Sequence, residues 1–161
     1  FLIFAEGCSA SLVSADPTGL ELQSFYAAII PDSSNQITWN IGTLGFDMML
    51  SGEVPKTIAA GLPSRMSSIL DGRKTEDIRH WAIHPGGRTV LDAVEKGAAL
   101  PPDSLKICRD VLRRFGNMSS ATVMFVLHDM MQQDAPAGLG CAMAFGPGLT
   151  VESMMFQKAW C

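Results

Sequence analysis

Asp77-Ile78-Arg79-His80-Trp81-Ala82-Ile83-His84-Pro85-Gly86-Gly87-Arg88 reads as a short buried strand ending at His84, a sharp Pro-Gly-Gly turn, and the start of a helix. The helix runs from Arg88 to Gly97. A second is expected from Pro102 or Asp103 to Phe115, with Asp103 or Ser104 as its cap. A third, Ala121 to Gln133, can be capped by Ser119 or Ser120. Its run Val123-Met124-Phe125-Val126-Leu127 is apolar on almost every side and predicts a central, buried helix.

Upstream, strands come first. Phe1 to Phe4 and Ser9 to Ala15 read as two strands around a small-residue turn, closed by Asp16-Pro17. Residues 21 to 30 and 36 to 41 are two more, separated by the breaker cluster Pro31-Asp32-Ser33-Ser34-Asn35. The alternation in Ile37-Thr38-Trp39-Asn40-Ile41 suits a half-buried strand. From Val54 to Leu70 the pattern is helical, with Pro55 tolerated in the first turn and Pro63 predicting a break. Downstream, Leu139 to Phe145 and Leu149 to Phe156 flank Gly146-Pro147-Gly148 as a hairpin. The sum is an α/β chain.

With 161 residues the chain is one domain of ordinary size. It is 47% hydrophobic and only 17% charged, more apolar than a typical free-standing domain. No apolar run reaches the roughly 18 to 20 residues a spanning helix needs, so the surplus is expected to cover an interface. Net charge is -4 with basic residues scattered, which argues against a nucleic-acid footprint. Phe1-Leu2-Ile3-Phe4 carries no basic leader and reads as a start in mid-strand. Cys8, Cys108, Cys141 and Cys161 have no paired spacing and are expected to be buried thiols in a reducing compartment. His80 and His84 share the four-residue offset of helical zinc sites, but the residues between them read as strand, so no metal is expected.

Two residues stand out for chemistry. His84 ends a strand before a glycine turn, where open α/β sheets collect ligand-contacting groups. Asn117, in Phe115-Gly116-Asn117-Met118-Ser119-Ser120-Ala121, sits in the loop before the buried helix. An imidazole N–H and an amide N–H are neutral donors suited to an oxygen that becomes negative during reaction. Taken alone, His84 reads more readily as a satisfied core histidine and Asn117 as a turn or helix-cap residue. Arg88 and Thr89 follow the turn at a helix start, where a phosphate group could be held.

These two contexts, followed by Phe145-Gly146-Pro147-Gly148-Leu149-Thr150-Val151-Glu152, resemble the C-terminal half of a chalcone-synthase-like type III polyketide synthase. The resemblance implies a thiolase-like layered fold, residues 1–161 forming its C-terminal half, a mixed sheet packed with helices. It implies an acyltransferase that decarboxylates malonyl-CoA and joins the product to an acyl-CoA starter by Claisen condensation. In that family the residues matching His84 and Asn117 stabilise the enolate, and the His supports the thiolate of a nucleophilic Cys in the N-terminal half. Phe46, in Gly45-Phe46-Asp47-Met48, resembles a cavity phenylalanine that guides decarboxylation, although a core aromatic reads equally well. Ser119 and the turn Gly146-Pro147-Gly148 match positions that shape the initiation and elongation cavity.

The family also implies a cytoplasmic homodimer with CoA thioesters as substrates and no resident cofactor, nucleic acid or membrane. None of the cysteines matches the nucleophile: Cys8 falls in a stretch resembling the family's Gly-Asp-Gly motif, here Ala5-Glu6-Gly7. Ala144 stands where a glycine is usual. Single-round ketoacyl synthases, either ketoacyl-ACP synthase III or ketoacyl-CoA elongases, are the competing enzymes. They differ at His84-Pro85-Gly86-Gly87 and at the final loop respectively. A catalytically silent dimerisation half is the non-enzymatic alternative.

Overall fold

Four apolar or aromatic-flanked residues, His80–Ile83, form strand β4, and all four are buried. In the computed structural model, which describes residues 4–132 and 136–159, β4 pairs in parallel with β5 (Gly138–Gly146), with Ile83 opposite Met143. β5 turns back antiparallel into β6 (Thr150–Lys158), and β6 pairs antiparallel with β1 (Leu20–Ile29). The order β1-β6-β5-β4 is therefore a mixed sheet, as expected. Its backbone packs closely: a methyl placed on Gly140 would collide with the Phe156 ring.

Helices cover the sheet. α1 (Val54–Gly61) packs on α3 (Arg88–Gly97), α2 (Met66–Ile69) meets β1 and β6, and α4 (Lys106–Phe115) and α5 (Ala121–Gln132) lie against β4. The Cys108 thiol on α4 donates to the Trp81 carbonyl at 3.3 Å. Arg109 joins α4 to Asp92 and Glu95 of α3 at 2.7 and 2.6 Å, and Arg114 joins it to Asp129 of α5. The break at Pro63 separates α1 from α2, and the freed Gly61 carbonyl is taken by the Arg65 guanidinium at 2.8 Å. The predicted strand over 21–30 and the closing hairpin both form.

Other expectations are corrected. Ser9–Ala15 forms no strand, because no strand lies beside it among the described residues to take its backbone groups. Leu12 is 95% exposed and Val13 76%. Of the strand expected at Phe1–Phe4, residues 1–3 lie outside the described residues, and Phe4 makes an isolated parallel bridge to Asn117. The strand over 36–41 forms as β2 (Ile37–Gly42), but it is mostly exposed and, among the described residues, pairs only with β3 (Gly45–Leu50), which the sequence reading did not anticipate.

A single 3-10 turn, Thr75–Asp77, precedes β4, so the strand begins at His80 and not at Asp77. α4 begins at Lys106 because Asp103 adopts φ +64, outside the helical region, and no side chain caps it. α5 is only partly enclosed: Val126, Leu127 and Met130 are buried, whereas Val123, Met124 and Phe125 are half-buried, and Gln133 lies outside the described residues. Cys108 and Cys141 are buried, but Cys8 is exposed, lying on the unpaired segment. Cys161 lies outside the described residues.

Candidate functional site

Because β4 and β5 run in parallel, their C-terminal ends open on one edge of the sheet, and the site residues gather there. The ladder continues one residue past β4, with the His84 N–H donating to the Met143 carbonyl at 2.8 Å. The Gly86 N–H then donates to the His84 carbonyl at 2.9 Å, which folds the turn back over the imidazole. A side-chain carbon on Gly86 would sit 3.5 Å from Cδ2 and Nε2 of His84, so the ring edge faces this glycine.

Asn117 reaches the same turn from the other side. It is 5% exposed, and its Nδ2 donates to the Gly86 carbonyl at 3.1 Å. Its Oδ1 accepts the Ser119 N–H at 2.9 Å. These partners leave one orientation of the amide, since a carbonyl can only accept and an N–H can only donate. One amide hydrogen is used on Gly86 and the second is not bonded among the described residues. His84 and Asn117 are thus brought together around Gly86.

The imidazole of His84 has no hydrogen-bond partner among the described residues, and burial pushes its pKa down to about 4. At neutral pH the ring is therefore uncharged, with one N–H to give. His80, on the same strand, takes a different role. Its Nε2 donates to the Pro136 carbonyl at 3.0 Å, and burial lowers its pKa despite that bond. Among the described residues no three His, Cys, Asp or Glu side chains are grouped to hold a metal.

The turn Gly146-Pro147-Gly148 lies at the same edge as His84. Gly148 adopts φ +137, and a Cβ there would meet the Thr150 nitrogen at 2.9 Å, so the position demands glycine. The Thr150 hydroxyl donates to the Pro147 carbonyl at 2.9 Å. Ser33, buried in the breaker cluster after β1, holds the turn from behind: its hydroxyl donates to Ile30 O at 2.6 Å and accepts Leu149 N–H at 2.7 Å.

Ser119 is close to the pair but not as a cap. It is exposed with φ +58, and neither its hydroxyl nor that of Ser120 makes a hydrogen bond among the described residues. Asn117 Oδ1 and Thr122 organise the start of α5 instead. Arg88 and Thr89 are exposed at the first turn of α3, and Arg88 has no ion-pair partner among the described residues. Phe46 is not brought to the pair. It sits on the separate β2–β3 hairpin, 66% exposed, with its ring 5.4 Å from that of Trp39.

The sequence reading missed three contributors. Thr122 is fully buried and bonds the Asn117 loop. Ser33 was absorbed into a breaker cluster. The Phe4–Ala5 segment clamps Asn117 from the backbone, with Ala5 N–H on the Asn117 carbonyl at 2.8 Å. A hydroxyl one position inside an apolar helix was the available signal for Thr122.

Comparison with known proteins identifies the fold and the family. The chain is similar to the crystal structure of a type III pentaketide synthase from Neurospora crassa, with 29% sequence identity and a TM-score of 0.79 over 92% of this chain. It spans 43% of the length of that protein. Residues 21–159 match the C-terminal domain of the chalcone and stilbene synthases, and the chain belongs to that family.

Proposed function

We propose that this chain is a single C-terminal domain supplying the oxyanion-stabilising half of a type III polyketide synthase site. His84 and Asn117 would each give one N–H to the thioester oxygen of malonyl-CoA. As the C–C bond to the carboxylate breaks and carbon dioxide leaves, its electron pair moves onto that oxygen as an enolate, where two neutral donors gain most. The enolate carbon then attacks an acyl thioester on a Cys carried by the N-terminal half of the protein. The new C–C bond forms as the thiolate departs.

The observation that carries this reading is the Gly86-centred arrangement: one amide orientation, one spare amide hydrogen and an uncharged imidazole at the same turn. Around it, Ser119, Phe46 and the turn Gly146-Pro147-Gly148 would shape the acyl cavity, with Phe46 arriving from its hairpin. Arg88 and Thr89 would contact CoA. The substrates are an acyl-CoA starter and malonyl-CoA, and the protein needs no resident cofactor. A cytoplasmic homodimer is the working assembly, acting on neither nucleic acid nor membrane. Among the described residues no helix is long and apolar enough to cross a membrane.

The test is mass spectrometry of products from the full-length protein given malonyl-CoA and a panel of acyl-CoA starters. Multiply extended products, falling about 100-fold or more in rate on His84→Ala or Asn117→Ala, support the proposal. A single two-carbon extension would replace it with a single-round ketoacyl synthase. No consumption of malonyl-CoA would leave the fold and remove the activity.

A further inference from the structure

The geometry points to Thr122 as a positioning residue that holds the Asn117 amide in its donating orientation, an inference that rests on the proposed role of Asn117. Thr122 lies in the first turn of α5 and is 0% exposed. Its hydroxyl accepts the Met118 N–H at 2.8 Å and donates to the Ser119 carbonyl at 2.7 Å. The same oxygen is 3.5 Å from Asn117 Oδ1. The loop 117–119 is therefore wrapped around one buried hydroxyl.

A hydroxyl has one proton and two lone pairs, and both kinds of capacity are used here. The consequence passes to Asn117 through Ser119. The Ser119 N–H that fixes Asn117 Oδ1 belongs to the residue whose carbonyl Thr122 holds. Ser119 also adopts φ +58, a conformation a serine keeps only when its surroundings hold it. Without the hydroxyl, the buried Met118 N–H loses its partner and the Ser119 carbonyl keeps only the Thr122 N–H at 3.1 Å, so the loop relaxes to recover hydrogen bonds elsewhere. The amide then turns with it, and the spare N–H no longer meets the developing oxyanion. A donor misplaced by about 1 Å loses much of its effect on rate while binding is untouched.

Two variants of opposite design separate positioning from packing. Thr122→Val keeps the shape and removes the hydroxyl; Thr122→Ser keeps the hydroxyl and removes a methyl. In the full-length protein, malonyl-CoA decarboxylation is measured for kcat and KM, with Tm alongside. Thr122→Val is expected to lower kcat about ten-fold with KM nearly unchanged, and Thr122→Ser to hold kcat within about two-fold despite a lower Tm. A serine variant that loses as much kcat as the valine variant, or more, overturns the proposal and assigns Thr122 to packing. Should Thr122→Val not fold, Thr122→Ala is read against Thr122→Ser: loss in the alanine variant alone supports it, and equal loss in both overturns it. Asn117→Ala, run in parallel, keeps the two readings apart. If it leaves decarboxylation intact, the oxyanion role fails. If it abolishes the reaction while Thr122→Val does not change kcat, only the positioning inference fails.

Discussion

His84 should make the folded chain acid-sensitive in a defined window. Burial lowers its pKa from 6.5 to about 4, and among the described residues no neighbouring charge contributes. Above pH 6.5 the imidazole is neutral in both folded and unfolded states and gives no pH dependence. As the pH falls through 6.5, the unfolded chain takes up a proton that the folded chain refuses until about pH 4. Stability is therefore lost across that window, and below it the loss is complete. At 1.36 kcal/mol per pH unit, the gap amounts to about 3 kcal/mol. Urea denaturation of the chain and of His84→Gln at several pH values isolates this contribution, because every other group is common to both. The difference between the two should shrink by about 3 kcal/mol from pH 7 to pH 4, and the His84 ring resonance should not titrate until near pH 4. A His84 resonance with a midpoint near 6.5 would refute the reasoning, since the ring would then be hydrated. In the full-length protein, a thiolate beside the ring would raise the midpoint, so the same resonance would report that pairing.

Two further substitutions probe the supports of the site. Ser33→Ala strips partners from the Ile30 carbonyl and the buried Leu149 N–H, and should cost about 2 kcal/mol in urea denaturation. A neutral effect would mean that the Gly146-Pro147-Gly148 turn does not depend on Ser33. Gly140→Ala forces a methyl into the Phe156 ring and should cost about 1–3 kcal/mol, part of which Phe156→Leu in the same chain recovers. Additive losses in that pair would remove the collision as the cause.

What the sequence disclosed was what local chemistry dictates. Pro63 cannot continue a helix, and the chain breaks there. Gly146-Pro147-Gly148 admits a turn few other residues could make, and β5 and β6 meet at it. His84 and Asn117 could be singled out as candidates because each stands close to glycine in a turn or loop. Their meeting at the Gly86 carbonyl was not, since that contact joins segments 31 residues apart. The start of α5 misled for a related reason. Ser119 and Ser120 look like caps, but the Asn117 side chain reaches the Ser119 N–H first and Thr122 closes the turn. β3 was missed because Phe46-Asp47-Met48-Met49-Leu50 has no clean alternation. Its extended form comes from the β2 register, with Ile41 opposite Phe46 and Trp39 opposite Met48.

The apolar surplus of the composition has a location in the structure. β1 alternates, with Tyr26 and Ala28 turned toward the core and Phe25, Ala27 and Ile29 exposed, yet both sets are apolar. A strand with two apolar faces is built to be covered on both, and among the described residues only one face is covered. Ile29 lies in the row Ile29–Thr150–Gly146, so this bare face runs up to the turn beside His84. Leu12, Val13, Ile41 and Leu44 repeat the pattern on the unpaired segment and on the β2–β3 hairpin. The proposed function calls for the same thing from the chemical side: two donors without a nucleophile need a second body against this edge to bring the Cys. An apolar rim on the site is where such a body gains most from water exclusion, which would also strengthen the His84 and Asn117 bonds to the enolate.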